Sequence, residues 1–204
     1  MGYYPIAVDL TNRKCLIVGG GMVAFRKAQA LLEAGGRVTV IAPEVDPAFD
    51  SLDGVDVISR EYQSGDISGH TLVFAATNNR GLNILVAEEA MQNGIPVNVV
   101  DDPELCSFIV PSLIRRGDLL IAISTSGRSP ILSKNIRREL EELYGKEYAE
   151  YVDLLGEMRE IVKNKYSSQA EREIVFNKLV NSGILELIRN GKIEEAREKA
   201  LQCI

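Results

Sequence analysis

Residues 19–24 read Gly-Gly-Gly-Met-Val-Ala, between the apolar run Cys15–Val18 and an amphipathic segment that follows. The spacing matches G-x-G-x-x-G/A, the pattern of a dinucleotide cradle. Gly19 permits a tight turn, Gly21 removes the side chain that would block a pyrophosphate, and Ala24 lets a helix approach a strand. The first amides of that helix then offer free N–H groups and a partial positive charge to phosphate. Gly19, Gly20, Gly21, Met22 and Val23 are therefore the expected pyrophosphate loop.

A dinucleotide fold also needs an acid near the end of its second strand, to hold the adenosine ribose. Ile41 and Ala42 carry none, and the first acid is Glu44, after Pro43. Glu44 could serve, at the end of the adenosine-side turn Ala42-Pro43-Glu44, and the departure leaves NAD against NADP open. Thr77 and Asn78 follow another apolar run and are candidates for the nicotinamide side, although Asn78-Asn79 is also ordinary turn chemistry. The stretch NVVDDPELCSF offers Asp101 and Asp102 after a further strand. A carboxylate there could take a proton as hydride leaves, or hold a cation. Helix capping or turn formation next to Pro103 is the competing use, and it suits Asp102 better than Asp101.

Other catalytic groups are scarce. The sequence has no HExxH, no GxSxG and no YxxxK, and its single histidine, His70, falls in a loop before a strand. The three cysteines, Cys15, Cys106 and Cys203, are widely spaced. That argues against a disulfide framework or a cysteine-rich metal site and fits a reducing, cytoplasmic setting. Cys15 and Cys106 sit in apolar surroundings and read as small core residues. Arg26 and Lys27 read as the outer face of the helix after the glycine loop.

The elements that must position these groups alternate. Apolar or β-rich runs at Lys14–Val18, Arg37–Ile41, Val55–Ser59, Leu72–Ala76 and Pro96–Val100 are separated by helix-length segments, with helical periodicity over Val23–Ala34 and Arg80–Asn93. Such alternation predicts an α/β fold, a Rossmann-type doubly wound parallel sheet over residues 1–113. Phe108–Ile114 and Leu119–Ser124, joined by Arg115-Arg116-Gly117-Asp118, predict a hairpin. Ser129 and Pro130 start a helix over Ile131–Leu143. Hairpin and helix make a segment, 114–145, whose exposed apolar residues a second copy of the chain would cover. Helices at about 146–165, 168–181, 183–190 and 192–202 complete a small all-helical C-terminal domain, 146–204.

The net charge is −6, which argues against a nucleic-acid partner, and no apolar run reaches the roughly 18–20 residues of a membrane span. The N-terminus lacks the pattern of a signal peptide. The charge is uneven: residues 1–113 hold seven Lys/Arg and fourteen Asp/Glu, residues 114–204 sixteen and fifteen. Arg115, Arg116, Arg128, Arg137 and Arg138 stand together in the second part, where they could meet an anionic ligand or simply face water.

These motifs carry a family resemblance. YPIAVDLTNRKCLIVGGGMVAFRKAQALLEAG, TVIAPE, FAATNN, NVVDDPELCSFIVPSLI and STSGRSPILSKNIRREL stand in the order seen in precorrin-2 dehydrogenases. Those are stand-alone relatives of the N-terminal dehydrogenase and ferrochelatase part of sirohaem synthase. The resemblance implies NAD-dependent oxidation of precorrin-2 to sirohydrochlorin, in some members followed by ferrous insertion. It implies a homodimer whose middle segment exchanges contacts between subunits. By position, Asp101 matches the family's essential aspartate, a general base that would also meet transient ferrous ion where chelation occurs. Ser107 and Phe108 would border the tetrapyrrole, and Ser124, Thr125 and Arg128, within Ser124–Ser129, would face it. The substrate's many carboxylates suit the arginines. Two other readings compete: an NAD(H)-sensing dimeric module without chemistry, and a chelatase with a vestigial dinucleotide site. A carboxylate facing the nicotinamide separates the dehydrogenase from the sensor.

Overall fold

The computed structural model describes residues 2–204. The chain divides into two compact units, Met1–Val110 and Pro111–Ile204. In the first unit the strands are β1 (Lys14–Val18), β2 (Arg37–Ile41), β3 (Val55–Ile58), β4 (Leu72–Ala75) and β5 (Val97–Val99), and the helices are α1 (Met22–Glu33) and α2 (Arg80–Gln92). All pairings are parallel, in the order β3-β2-β1-β4-β5. The fold is Rossmann-type, as expected. β1 lies between β2 and β4, so the connections diverge at its carboxyl end, where ligands bind in such sheets.

Alternation with period two sorts the side chains onto two faces. On one, Leu16, Val18, Val73, Ala75, Val97 and Val99 pack against Val86, Ala87 and Ala90 of α2. On the other, Cys15, Ile17, Val38, Val40, Leu72 and Phe74 pack against Ala24, Ala28 and Leu31 of α1. Leu16 and Ile17 are fully buried, each contributing about 1.5–3 kcal/mol by removal from water. Only two of the four links between strands are α-helices. Residues 42–54 contain Pro43 and Pro47 and make a single 3₁₀ turn, Pro47–Ser51. Residues 59–71 are turns, with Gly65 and Gly69 at positive φ. Tyr62 and Ile67 still close that side, and the Tyr62 hydroxyl donates to Glu89 of α2.

The second unit begins with an antiparallel hairpin, β6 (Ser112–Arg116) and β7 (Leu119–Ile123). The expected first strand, Phe108–Ile114, is corrected: Phe108 belongs to the first unit, and Arg115 and Arg116 lie within β6, leaving Gly117-Asp118 as the turn. The physical reason is that Ser107 and Phe108 are hydrogen-bonded alongside β5. Helices α3 (Pro130–Leu143), α4 (Glu147–Lys165), α5 (Gln169–Val180), α6 (Ile184–Arg189) and α7 (Ile193–Gln202) follow. Tyr151, Leu154, Met158, Val162, Leu179 and Ile184 centre the helical core. Ser133 is the one buried residue of α3. Its Ile131 is 75% exposed, Leu143 62% and Leu132 50%.

Candidate functional site

The glycine loop leaves β1 at the switch point and is held by backbone alone. Gly19 N–H donates to Ile41 O (2.9 Å), Asp46 N–H to Gly20 O (2.7 Å), and Ala76 N–H to Val18 O (2.8 Å). Gly19 has φ 116°, and a Cβ there would collide with the Ala76 carbonyl. A Cβ on Gly20 would collide with the Glu44 carbonyl. Gly21 is different: a Cβ there would meet nothing within 4 Å. The first two glycines are demanded by the neighbouring strand ends, and the third faces open space.

Gly21 is also the N-cap of α1 and offers no side chain to its amides, and the first turn holds no acid. The amides of Met22 and Val23 thus have no acceptor among the described residues, and the two residues are 42% and 43% exposed. This donor set fits a pyrophosphate.

Beside it, Ala42 is buried and its N–H donates to Ile58 O (3.3 Å), which ties the end of β2 to that of β3. Pro43 and Glu44 are exposed. Arg60, just past β3, forms a two-point ion pair with Asp66 (2.7 and 2.8 Å). On the other flank Thr77 is an organiser. Its hydroxyl donates to Asn83 Oδ1 (2.6 Å), and the Asn83 side-chain amide donates to Thr77 O (3.0 Å). Asn83 is a buried polar residue that the sequence reading missed, since within an apolar helix nothing marks it as a partner of Thr77. Asn79 caps α2 by accepting from Leu82 N–H (3.1 Å). Asn78 is exposed, with no side-chain hydrogen bond among the described residues.

The loop after β5 sets two adjacent aspartates apart. Asp102 accepts from Arg80 Nη2 (3.2 Å) and Nε (3.3 Å). It stands at the N-cap position of the 3₁₀ turn Pro103–Leu105 but makes no side-chain cap, so the expected capping use is corrected to an ion pair. Asp101 is exposed, has no side-chain partner among the described residues, and holds φ 60°. That left-handed conformation is uncommon outside glycine, and aspartate tolerates it better than most residues.

Cys106 clamps this loop. Its Sγ donates toward Val99 O (3.3 Å) and Asp102 O (3.4 Å) and accepts from Val99 N–H (3.1 Å). It is half-buried, and its Sγ also accepts from the Asn98 side-chain amide of β5 (3.5 Å).

Ser107 and Phe108 run back along β5. The Ser107 hydroxyl accepts from Val97 N–H (2.8 Å), and its own N–H donates to Val97 O (2.9 Å). Phe108 packs edge-on against Phe74, ring centroids 5.5 Å apart. Above the Phe74 ring, also at 5.5 Å, lies Lys27 Nζ. Lys27 is thus corrected: it is half-buried at the flank of α1 rather than on its outer face, whereas Arg26 is exposed.

In the second unit, residues 124–129 wind on themselves. Ser124 Oγ accepts from Ser126 N–H (3.0 Å) and Thr125 Oγ1 from Ser129 N–H (3.0 Å), with buried Ser133 Oγ 3.2 Å from Thr125. Arg128 is exposed and makes no ion pair among the described residues. Arg137 pairs with Glu141, and Arg116 donates to Tyr144 O (3.0 Å), so these two guanidiniums are engaged within the unit.

His70 lines a separate hollow of about 460 Å³ with Lys14, Arg37 and Asp56, at the opposite, amino ends of the strands. Among the described residues no group of three His, Cys, Asp or Glu side chains is placed to hold a metal ion. No described helix is long and apolar enough to cross a membrane.

Three family models match in series. Residues 6–112 match an NAD(P)-binding model, 116–143 the sirohaem biosynthesis protein central model, and 147–204 the sirohaem synthase dimerisation region. A siroheme synthase of Vesicomyosocius okutanii is 40% identical over 200 residues, covering 97% of this chain and 43% of that protein. One of Nitrosomonas eutropha is 35% identical over 208 residues, covering 100% and 44%. The chain therefore spans less than half the length of these curated relatives. A solved structure described as SirC, precorrin-2 dehydrogenase, superposes with TM-score 0.78 at 25% identity, covering 98% of this chain and 100% of that one.

Proposed function

This chain belongs to the sirohaem synthase family of NAD(P)-binding proteins, and from that premise we propose that it is an NAD-dependent dehydrogenase oxidising precorrin-2 to sirohydrochlorin. The observation that carries the reading is an exposed, unpartnered carboxylate, Asp101, at the same sheet edge as a cradle free of side chains. A dinucleotide sensor needs the cradle but has no use for that carboxylate. The precorrin-2 dehydrogenase named among the structural neighbours supports the same choice.

Nicotinamide, when bound, supplies the hydride acceptor. The chain's own work is then positional and protolytic. Met22 and Val23 amides hold the pyrophosphate, with Gly21 leaving room for it. Glu44 is the acid for the adenosine ribose. Arg60 is tied to Asp66 and so gives no free guanidinium to a 2′-phosphate, which supports NAD over NADP. Asn78 borders the nicotinamide, and Thr77 fixes the turn that presents it. Removing two hydrogens from the macrocycle yields one hydride and one proton, and Asp101 accepts the proton. Ser107 and Phe108 shape the tetrapyrrole border, Ser107 held to β5 by Val97 and Phe108 by the Asn98 side-chain amide, which donates to its carbonyl (3.0 Å). Ser124, Thr125 and Arg128 are the proposed substrate contacts of the second unit, Arg128 offering the charge and the two hydroxyls also ordering its turn.

We read residues 1–113 as the cofactor domain, 114–145 as a dimerisation segment and 146–204 as a helical domain of a cytoplasmic homodimer, and the dimerisation-region match over 147–204 supports a dimer contact in the helical domain as well. The exposed Ile131, Leu132 and Leu143 of α3 are the surface a second copy would cover. Ferrous insertion into the product is a separate proposal, assayed from sirohydrochlorin and ferrous ion. The central test incubates the purified protein anaerobically with precorrin-2 and NAD. NADH and sirohydrochlorin should form together, and no NADH above a protein-free control would reject the reading.

A further inference from the structure

We propose that Lys27 is a specificity-determining residue whose ammonium holds one carboxylate of the substrate beside the Phe74–Phe108 pair. The inference rests on the dehydrogenase reading, which makes the substrate a polycarboxylate. Ala24 and Ala28, on either side of Lys27 in α1, are fully buried against the sheet. That fixes the helix and brings Lys27 to its flank, over β4, with Nζ 5.5 Å from the Phe74 ring centre. The ring faces one side of the ammonium only. An ammonium has three donors, and among the described residues none meets an acceptor or a carboxylate. Burial pushes its pKa below the ordinary lysine range, opposed in part by the Cys106 side chain. A half-buried cation with an aromatic floor and no carboxylate partner among the described residues is built to receive an anion.

Two features favour a substrate carboxylate over a cofactor phosphate. Lys27 lies five residues past the first residue of α1, about 7 Å further along the helix axis, and the phosphates already have the amides there. Its aromatic floor is packed against Phe108, whose neighbour Ser107 fixes the border proposed to meet the tetrapyrrole.

The test compares wild type with Lys27→Met, which keeps the stem, Lys27→Gln as a second neutral variant, and Lys27→Arg. Steady-state kinetics with precorrin-2 is run beside calorimetric NAD titration and spectroscopic titration with sirohydrochlorin. The neutral variants should raise the KM for precorrin-2 and the Kd for sirohydrochlorin about 10- to 100-fold. Their kcat should stay within about 3-fold and their NAD affinity unchanged, and Lys27→Arg should restore most of the loss. Unchanged KM and Kd would overturn the proposal, and so would a loss confined to NAD affinity. Should wild type form no NADH, the dehydrogenase reading fails by itself, and the sirohydrochlorin titration still decides whether Lys27 binds a polycarboxylate.

Discussion

The glycine loop after β1 and the aspartate loop after β5 stand at the same edge of one sheet and are built in opposite ways. The first is shaped by absence: Gly19 and Gly20 have no room for a Cβ, and Gly21 leaves a space empty. The second is shaped by side chains from elsewhere. Arg80 reaches across from α2 to take Asp102, and Cys106 closes the turn from behind, so that Asp101 alone is left free. One loop excludes contacts so that a ligand can make them. The other uses contacts to choose which of two carboxylates remains available. A binding surface and a reactive group thus call for different local construction within a single site.

The largest effect that bears on this contrast should come from Asp101→Asn, which keeps shape and removes the proton acceptor. We expect kcat to fall about 10²- to 10⁴-fold, with NAD binding and melting temperature near wild type. Activity within a few-fold of wild type would take the base role away from Asp101. Next come the glycines, which should separate by kind. Gly20→Ala should cost stability, on the order of 1–3 kcal/mol, because its Cβ meets the Glu44 carbonyl. Gly21→Ala should leave the denaturation midpoint unchanged and raise the Kd for NAD about 10-fold. Equal melting losses in the two variants would erase the distinction between the structural and the ligand-facing glycine.

That distinction also marks what the sequence discloses. The alternation of apolar runs with helical periodicity is local, and it predicts the strands and both helices of the first unit to within about two residues. The glycine pattern is local too, since its chemical requirement is the lack of a side chain. What sequence reading misses depends on partners far along the chain. Asp102 looks like a cap until Arg80 is brought to it. Asn83 looks like a polar residue in an apolar helix until it meets Thr77. Lys27 follows exposed Arg26 and reads as solvent-facing, because nothing local says that Phe74 lies beneath it. The link 59–71 lacks a helix because Gly65 and Gly69 adopt positive φ, a property of the folded turns rather than of any pattern. For Asp101 the bare sequence gives only a lean, since Pro103 makes Asp102 the better candidate for a cap, and the family resemblance supplies its role.

The smallest expected effect is therefore the most discriminating for the aspartate loop. Asp102→Ala removes the acceptor of Arg80, a guanidinium whose side chain is 77% exposed, from a carboxylate 19% exposed. Such a partly solvated pair is worth no more than about 1 kcal/mol, so the melting temperature should barely move. The variant frees one anchor of the loop, but the Cys106 clamp uses the Asp102 carbonyl, which alanine retains. Turnover should accordingly drop only about 2- to 5-fold, since a loosened support positions Asp101 less well without deleting it. Arg80→Met should give a loss of the same size, because both changes break one ion pair, and the double variant should be no worse than either. A loss from Asp102→Ala as deep as that from Asp101→Asn would mean that the paired carboxylate, and not the free one, takes the proton.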